Sequence, residues 1–411
     1  MAIDSSNALQ VAVVGAGIAG LTAAIALRRN GHHVQVFEAS QNKTEVGAAL
    51  GVPLNALRVL DYLGFSKEYL KGVPLSGALD FDAENGEEGS RSWSMSDEKS
   101  MISLLCHRND LYEELKRLAI GEGEGPPVKL RLGAKVTACD PEAGTISLVN
   151  DEVVRADLVL GADGVNSVVR TNIIGEVMKA STSGVSCFRT VFELREVPEL
   201  KWITEGVSGA RTFVSKEGPF RMALMYPCRN GTLLNFIGFY ADSQDSEEGW
   251  APTASREDIM AKFQGFSPKL FPVLDLPSHS EIFRWHLRVL PVLPTWIRGR
   301  AALLGDAAHA TLPFLAQGAA MAIEEAGSIA ALLPAGTKPE DVPERLKAYQ
   351  DIRKDRGEFV RNESVEQLNS LMRGGPIVRY QGIQSTLLQY DALEVARECY
   401  EQRFGHSSSS K

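Results

Sequence analysis

The chain has 411 residues, which is enough for two to three domains of ordinary size. Apolar residues make up 44% and charged residues 23%, so the composition excludes an intrinsically disordered or collagen-like protein. The formal net charge of −9 argues against a protein that binds nucleic-acid phosphates.

Residues 8–27 carry no charged side chain and are long enough to cross a membrane. No lysine or arginine precedes them, however, and the glycines in their middle would weaken a transmembrane helix. The five cysteines are scattered without a CxxC pair, which disfavours disulfides and a structural zinc site. The sequence therefore predicts a soluble, cytoplasmic protein with no membrane span and no metal centre.

The same stretch is better explained as the start of a nucleotide-binding fold. A predicted strand, Val11–Val14, is followed by Gly15-Ala-Gly-Ile-Ala-Gly20, a helix up to Arg29 and a second strand, Val34–Phe37. In this pattern the first glycine allows a tight turn, the second admits a pyrophosphate, and the third lets helix and strand pack closely. Glu38 ends the second strand, where a carboxylate accepts ribose hydroxyl hydrogen bonds, which favours FAD or NAD over NADP.

The next elements are a helix within residues 47–64, after a glycine-rich entry, and a helix at Asn109–Leu118 with an Asn or Asp cap. The segment from Gly121 to Pro127 is predicted to be a flexible surface turn. Short strands are then predicted at Lys129–Leu132, Lys135–Cys139, Thr145–Leu148 and Leu158–Gly161.

From about Gly184 to Trp285 the apolar residues alternate, which predicts an antiparallel sheet with one covered face. A buried strand at Ala301–Leu304 and a helix of small residues at Gly318–Leu333 follow. Residues 342–371 are predicted to be helical and charged, and the tail 407–411 to be disordered. This order indicates a nucleotide-binding domain that a β-rich domain interrupts.

Two further motifs point to a cofactor. The buried strand that ends in Asp163-Gly164 leads to an Asp-Gly turn, which by itself could equally be an ordinary turn with a capped helix. A later strand delivers Asp306, and a loop with Pro313 then leads to Gly318, which opens a helix. Such a helix end supplies unpaired N–H groups and positive potential, suited to an anionic cofactor ring.

These three motifs, in this order, resemble the single-component flavoprotein aromatic hydroxylases with the p-hydroxybenzoate hydroxylase fold, and most of all the salicylate hydroxylase-like enzymes. The resemblance extends from Val11 to about Ala331. It implies an α/β protein with a Rossmann-like FAD-binding domain interleaved with a β-rich substrate domain, plus a helical C-terminal region. The implied boundaries are 1–183 for the FAD-binding domain with short β insertions, 184–290 for the substrate domain, 291–335 for the return segment and 336–411 for the helical region with its disordered tail.

The resemblance also implies the residues that bind FAD: Gly15, Gly17, Ala19, Gly20, Glu38, Arg108, Asp163, Gly164, Asp306, Gln317, Gly318 and Ala319. NADH or NADPH is expected only as a transient co-substrate, because no second GxGxxG unit is present. One departure from the family is Leu54-Asn55-Ala56, where Pro-Asn-Ala is frequent.

The implied reaction is reduction of FAD by NAD(P)H, formation of a flavin hydroperoxide with O2, and transfer of one oxygen atom to a phenolic or related aromatic substrate. A carboxylate ortho or para to the phenol hydroxyl would make the hydroxylation decarboxylative. The candidate catalytic residues are His309, Pro313 and Tyr226, with His286 as another base, and the candidate substrate-binding residues are Arg189, Tyr226 and Pro313.

Each of these residues could instead have a purely structural role. His309 could cap local backbone, Tyr226 could be a core aromatic, and Arg189 could be a surface arginine of a strand. An FAD-dependent reductase or dehydrogenase that does not activate oxygen is the alternative enzyme, and a nucleotide-binding sensor is the alternative without catalysis. The expected partners are a small aromatic substrate, O2 and NAD(P)H, and the expected assembly is a monomer or homodimer.

Overall fold

A computed structural model describes residues 8–41, 48–94, 103–206, 208–243, 254–275, 281–376 and 381–405. The strands are β1 (Gln10–Val14), β2 (His33–Phe37), β3 (Ala49–Val52), β4 (Val73–Pro74), β5 (Gly77–Asp82), β6 (Glu88–Ser94), β7 (Leu104–His107), β8 (Lys129–Arg131), β9 (Val136–Asp140), β10 (Thr145–Leu148), β11 (Val153–Arg155), β12 (Leu158–Gly161), β13 (Ser181–Glu193), β14 (Gly209–Val214), β15 (Arg221–Cys228), β16 (Leu233–Ala241), β17 (Phe283–Val289), β18 (Ile297–Arg298) and β19 (Ala301–Leu303). The helices are α1 (Ile18–Arg29), α2 (Leu54–Tyr62), α3 (Lys67–Leu70), α4 (Arg108–Ile120), α5 (Val168–Ile174), α6 (Arg256–Lys262), α7 (Phe271–Leu274), α8 (Asp306–His309), α9 (Gly318–Leu332), α10 (Val342–Met372), α11 (Gln381–Leu388) and α12 (Ala392–Phe404). The predicted entry at Gly47 and the predicted tail 407–411 lie outside the described residues.

A six-stranded sheet in the order β18-β19-β12-β1-β2-β8 forms the first layer of the fold. All its neighbours are parallel except the edge pair β18 and β19. Its central strands read as continuous apolar runs because helices cover both faces of a parallel sheet. The predicted α/β fold, with β1, α1 and β2 as its first unit, is confirmed.

A seven-stranded sheet in the order β17-β13-β16-β15-β14-β5-β6 forms the second unit. Its neighbours are antiparallel except β14 and β5, which pair in parallel from Gly209 with Gly77 to Val214 with Asp82. Strands β5 and β6 come from residues 77–94, inside the range predicted for the FAD-binding domain. The sheet is therefore built from two separate parts of the chain, and the boundary predicted at residue 183 also falls inside β13.

Both faces of this sheet are covered, so the prediction of one covered face was wrong. In β16 every residue from Leu234 to Tyr240 is buried. Leu234, Phe236 and Tyr240 belong to the apolar core that contains α6 and α7, whereas Ile237 and Phe239 belong to a core on the opposite face. Successive side chains of a strand point to opposite faces, so an unbroken buried run requires cover on both sides.

A small sheet in the order β3-β7-β4 contacts the seven-stranded sheet through β7 and β15. The predicted helix within residues 47–64 is therefore a strand followed by a helix, with Pro53 in extended conformation immediately before α2. Helix α4 begins at Arg108 without a side-chain cap, unlike the prediction. Asp110, in its first turn, instead forms an ion pair with Arg229 at 2.7 Å, which joins α4 to the turn between β15 and β16.

The predicted surface turn after α4 is held in place by hydrogen bonds from the buried Arg28. This arginine of α1 is 2% exposed, and its guanidinium donates hydrogen bonds to the carbonyl oxygens of Leu118, Ala119, Gly121 and Gly125. A buried side chain thus ties the turn to the first layer of the fold. The fourth sheet, β11-β10-β9, follows this turn in the chain.

Helix α9 is buried along almost its whole length and packs against α1, α2, α10 and α12. Helix α10 has 31 residues, and its buried arginines Arg353 and Arg356 face α9. Within the residues that the structure describes, no helix combines the length and the apolar character needed to cross a membrane.

Candidate functional site

Gly15 and Gly20 close the turn between β1 and α1 where no side chain fits. Gly15 has a φ of +99°, and a Cβ atom there would lie 2.4 Å from the carbonyl oxygen of Ala162. A Cβ atom at Gly20 would lie 2.0 Å from the carbonyl oxygen of Gly15. At Gly17, in contrast, no described neighbour lies within 4 Å of the Cβ position. The turn is tight against the sheet and open at the start of α1, where backbone N–H groups can bind phosphate.

Glu38 follows β2 and stabilises this turn through hydrogen bonds. Its Oε2 accepts a hydrogen bond from the N–H of Ala16 at 2.8 Å, and its Oε1 accepts one from the N–H of Ser40 at 3.0 Å. Each carboxylate oxygen has a further lone pair. Glu38 can therefore also accept hydrogen bonds from a ribose, as the sequence predicts.

Asp163 and Gly164 follow β12 and have different surroundings. The carboxylate of Asp163 accepts hydrogen bonds from the N–H groups of Val168 at 2.7 Å and Val169 at 3.2 Å, and from the hydroxyl of Ser167. Burial raises the pKa of Asp163, and these hydrogen bonds offset the shift only in part. Asp163 thus caps α5, which was the alternative interpretation of this motif, while Gly164 has a φ of +73° and an open Cβ position.

Gly305 and Asp306 follow β19 in a turn that a buried carboxylate supports. Gly305 has a φ of +58°, and its N–H donates a hydrogen bond to Oε2 of Glu325 at 2.7 Å. A Cβ atom at Gly305 would lie 3.2 Å from the side chains of Ala19 and Ala322. The side chain of Asp306 is exposed. The hydrogen bond between Gly305 and Glu325 therefore fixes the backbone before Asp306, and the Asp306 carboxylate stays at the surface.

Helix α9 begins beside this turn. Ala316, immediately before it, has a φ of +53°, a conformation that is uncommon for a residue with a Cβ atom. Gln317 is 3% exposed, and its Oε1 accepts a hydrogen bond from Nδ2 of Asn55 at 2.9 Å. The N–H groups of the first turn of α9 have no partners within the helix, so this end carries positive potential.

A cavity of about 460 Å³ lies between the loops that follow β1, β12 and β19 and the seven-stranded sheet. The predicted site residues that line it are Gly17, Ala19, Arg108, Gly164, Arg189, Tyr226, Asp306, Pro313, Gly318 and Ala319. The predicted site residues that are not part of this lining are Gly15, Gly20, Glu38, Asp163, His309 and Gln317. On the side of the sheet, the remaining wall is mostly apolar and includes Leu75, Ala210, Leu224, Ile237, Phe239 and Leu312.

Arg189 and Tyr226 are the polar side chains of this apolar wall. The hydroxyl of Tyr226 donates a hydrogen bond to the carbonyl oxygen of Ala49 at 2.9 Å, and Nη2 of Arg189 donates one to the same oxygen at 3.2 Å. The N–H of Ala49 donates to Oδ1 of Asn235 at 3.0 Å, so side chains of the sheet hold β3 at both polar groups of this residue. The Nε of Arg189 is enclosed and has no acceptor among the described residues.

Tyr226 is not suited to act as a base. Burial raises the pKa of its hydroxyl, so the group is neutral at physiological pH. A neutral phenol that donates to Ala49 can still accept a hydrogen bond from a bound molecule.

Neither histidine that the sequence proposes as a base lines the cavity. The ring of His309 is buried beside Trp296, and its Nε2 lies 2.5 Å from Oε1 of Glu325. Burial lowers the pKa of His309, but the charge of Glu325 raises it more, so the net pKa lies above its usual value. His286, on β17, is hydrogen-bonded to the hydroxyl of Ser186 at 2.9 Å. The structure therefore places the His309 side chain in the core and not on the cavity surface, and its catalytic role stays a prediction.

Sequence reasoning missed the buried polar residues that support the site. Asn55 and Asn235 hold segments beside the cavity, and Glu324 and Glu325 lie on α9 behind it. A signal for the two glutamates was present, since they are the only charged residues in a helix of otherwise small and apolar residues. Within the part of the chain that the structure describes, no three His, Cys, Asp or Glu side chains are grouped so that they could hold a metal ion.

Comparison with known proteins gives three findings. Residues 8–364 match the model of the family described as FAD binding domain. The chain is 36% identical to hispidin-3-hydroxylase of Neonothopanus nambi, over 98% of this chain and 99% of that protein, and 28% identical to salicylate hydroxylase of Pseudomonas putida, over 87% and 84%. The solved structure of CtdE in complex with FAD and a substrate superimposes with a TM-score of 0.83 at 22% identity and covers 96% of this chain and 98% of that one, which supports the fold.

Proposed function

This chain belongs to the FAD binding domain family and is an FAD-dependent aromatic monooxygenase, and we propose that it hydroxylates a phenolic substrate held against Arg189, Tyr226 and Pro313. The relatives named as hydroxylases favour this reaction over the alternative of a reductase that does not activate oxygen. The resemblance to the salicylate hydroxylase-like enzymes is confirmed by the same relatives.

The residues around the first turn fit an FAD. The backbone at Gly17 is open to a ligand, and a carboxylate, Glu38, lies beside the same turn. The exposed Asp306, which also lines the cavity, can accept hydrogen bonds from ribityl hydroxyls. We propose that the cofactor is held by Gly15, Gly17, Ala19, Gly20, Glu38, Arg108, Asp163, Gly164, Asp306, Gln317, Gly318 and Ala319, with Gly15, Gly20, Asp163 and Gln317 acting from outside the cavity lining.

When bound, FAD supplies the transfer of electrons from NADH or NADPH and the activation of O2. The protein's own contribution is to orient the aromatic ring and to exclude water. The side chains of Leu224, Ile237 and Phe239 serve both purposes, because they are apolar and have no hydrogen-bonding group.

The single observation that carries the substrate proposal is the pairing of Arg189 with Tyr226 in this wall. Arg189 lines the cavity, and its guanidinium has N–H groups besides the one that donates to Ala49. A substrate oxygen can accept a hydrogen bond from one of these groups. A guanidinium beside a phenol favours the phenolate, which is the more reactive form toward an electrophilic oxygen. We therefore propose that Arg189 promotes loss of the phenol proton to water and that the neutral hydroxyl of Tyr226 orients the ring.

The test is a screen of phenolic compounds for stimulation of NADH or NADPH oxidation by the purified protein, with O2 consumption and mass spectrometry of the products. Insertion of one oxygen atom is expected, and replacement of a carboxyl group by hydroxyl would identify a decarboxylative substrate. The proposal would be contradicted if NAD(P)H were oxidised but no oxygen atom were inserted into any of the aromatic compounds tested.

Replacement of Arg189 by Met tests the role of the arginine. The expected result is a KM for the phenolic substrate that is raised about tenfold to a hundredfold, because a hydrogen bond to a charged group is worth about 1.5–3 kcal/mol. The matched control is Arg195→Met, since Arg195 follows the same strand and is 80% exposed. Equal effects of the two substitutions would refute the assignment.

We also propose that the enzyme works in the cytoplasm, as a monomer or homodimer. Scattered cysteines, all buried as free thiols, favour a reducing compartment. The choice between NADH and NADPH is left to the screen.

A further inference from the structure

Asn55 links a buried ion cluster to Gln317, the residue immediately before α9. Its Nδ2 donates a hydrogen bond to Oε1 of Glu324 at 2.6 Å and a second one to Oε1 of Gln317 at 2.9 Å. Glu324 also accepts hydrogen bonds from Arg353 at 2.6 Å and from Arg356 at 2.8 Å. Asn55, Glu324 and Arg353 have no exposed surface, and none of the five side chains lines the cavity.

The charge of Glu324 determines which way the Asn55 amide points. Burial raises the pKa of Glu324, but Arg353 and Arg356 lower it more, so the carboxylate stays ionised and can only accept hydrogen bonds. Asn55 must therefore present its NH2 group to Glu324. The reversed amide would place its oxygen against the carboxylate. In the observed orientation the Oδ1 of Asn55 has no donor among the described residues. The two hydrogen bonds from Nδ2 must therefore stabilise this orientation by more than the unpaired acceptor destabilises it.

The orientation of Asn55 determines that of Gln317 in turn. Because Asn55 offers an NH2 group, Gln317 must meet it with its oxygen, and its own NH2 group is left to donate elsewhere. In the described part of the chain Nε2 of Gln317 has no acceptor, and unlike Oδ1 of Asn55 it is not fully enclosed. Gln317 lies between Ala316 and Gly318, which both line the cavity.

We propose that Asn55 is a positioning residue that fixes the amide of Gln317 as a hydrogen-bond donor to FAD and so stabilises the reduced, anionic cofactor over the oxidised one. This inference rests on the binding of FAD at the start of α9. The N–H groups in the first turn of α9 have the same polarity, so this end of the site presents donors and positive potential together. The arginines of α10 thus act on the cofactor through Glu324, Asn55 and Gln317 without touching it.

The test compares two substitutions by titration of the apoprotein with FAD and by the midpoint potential of the bound flavin. Asn55→Ala frees Gln317 to rotate, and Gln317→Glu replaces the donor with a carboxylate while keeping the acceptor for Asn55. Both variants are expected to lose about tenfold more affinity for reduced than for oxidised FAD, the equivalent of one hydrogen bond, which appears as a more negative midpoint potential.

Asn30→Ala is the matched control. Nδ2 of Asn30 also donates two hydrogen bonds to α9, but at its other end, to the carbonyl oxygens of Ala330 at 2.8 Å and Leu333 at 2.9 Å. This variant is expected to have a lower Tm and an unchanged ratio of the two affinities. The control separates loss of helix anchoring from loss of the donor.

An unchanged midpoint potential in both Asn55→Ala and Gln317→Glu would overturn the proposal, even if the Tm falls, because Asn55 would then serve packing alone. If Asn55→Ala does not fold, Gln317→Glu decides by itself, since it leaves the ion cluster intact. These titrations need no aromatic substrate. Failure of the substrate screen with a normal flavin titration would therefore refute the proposed hydroxylation and leave this inference standing.

Discussion

Replacement of Tyr226 by Phe removes one hydroxyl from the wall of the cavity and nothing else. The lost hydrogen bond is the one to the carbonyl oxygen of Ala49 at 2.9 Å, and that oxygen keeps its bond from Arg189 at 3.2 Å. No buried acceptor is orphaned, so the free energy of unfolding should fall by only about 1 kcal/mol. In a protein of this length that loss lowers the Tm by roughly 1 °C.

The effect of Tyr226→Phe on catalysis distinguishes a substrate-binding role of this tyrosine from a role as catalytic base. Burial raises the pKa of the Tyr226 hydroxyl, so the group remains protonated through the neutral range and no proton transfer that titrates there is lost in the variant. We expect the pH profile of kcat to keep its shape between about pH 6 and pH 9, and the KM for the phenolic substrate to rise about fivefold to tenfold, as for one hydrogen bond. The dissociation constant of FAD should not change.

The assay is steady-state oxidation of NAD(P)H across this pH range, with the H2O2 released measured in parallel to report on coupling. Tyr240→Phe is the control, because Tyr240 is a buried tyrosine of the neighbouring strand that packs in the core on the opposite face of the sheet. Disappearance of one limb of the pH profile in Tyr226→Phe would identify the tyrosine as the base and refute this reasoning. An unchanged KM would refute contact with the substrate.

Three further predictions concern the cofactor site and its support. Asp306→Ala should weaken FAD binding about tenfold with little change in Tm, since the carboxylate is exposed; full flavin occupancy after dialysis would contradict its assignment. Gly15→Val should abolish FAD binding, because a side chain at a φ of +99° would strain the turn and press on the sheet; a purified variant with the flavin absorbance of the wild type would argue against it. Arg28→Met should lower the free energy of unfolding by at least about 3 kcal/mol in urea titration, because it removes four hydrogen bonds to carbonyl oxygens, although that of Ala119 keeps its bond from the N–H of Val128; a loss below about 1 kcal/mol would show that the turn 121–125 does not depend on Arg28.

Local spacing predicted the nucleotide-binding half of the protein. The glycines from Gly15 to Gly20 and the carboxylate of Glu38 encode a turn, a helix start and a strand end within one βαβ unit. Such features depend on backbone conformations and on neighbours a few residues apart, so the sequence alone determines them. The strand that precedes Asp306 and the helix that begins at Gly318 were predicted for the same reason.

Contacts between distant segments were decided only by the tertiary structure. The parallel pairing of β5 with β14 joins residues more than a hundred positions apart, and no local pattern encodes it. The direction of a side chain also depends on its tertiary partners. His309 lies in the cofactor motif but points toward Glu325, because the core offers a carboxylate there.

The polar side chains that support the site also depend on contacts between distant segments. Asn55 and Gln317 are 262 positions apart, and their amide orientations follow from Glu324 and from the two arginines that α10 brings to it. The sequence by itself predicted which residues can hold FAD, since that prediction depends on local turns and helix ends. The tertiary structure decided which polar groups face the cavity, because the orientation of a buried polar group is set by the partners that packing provides.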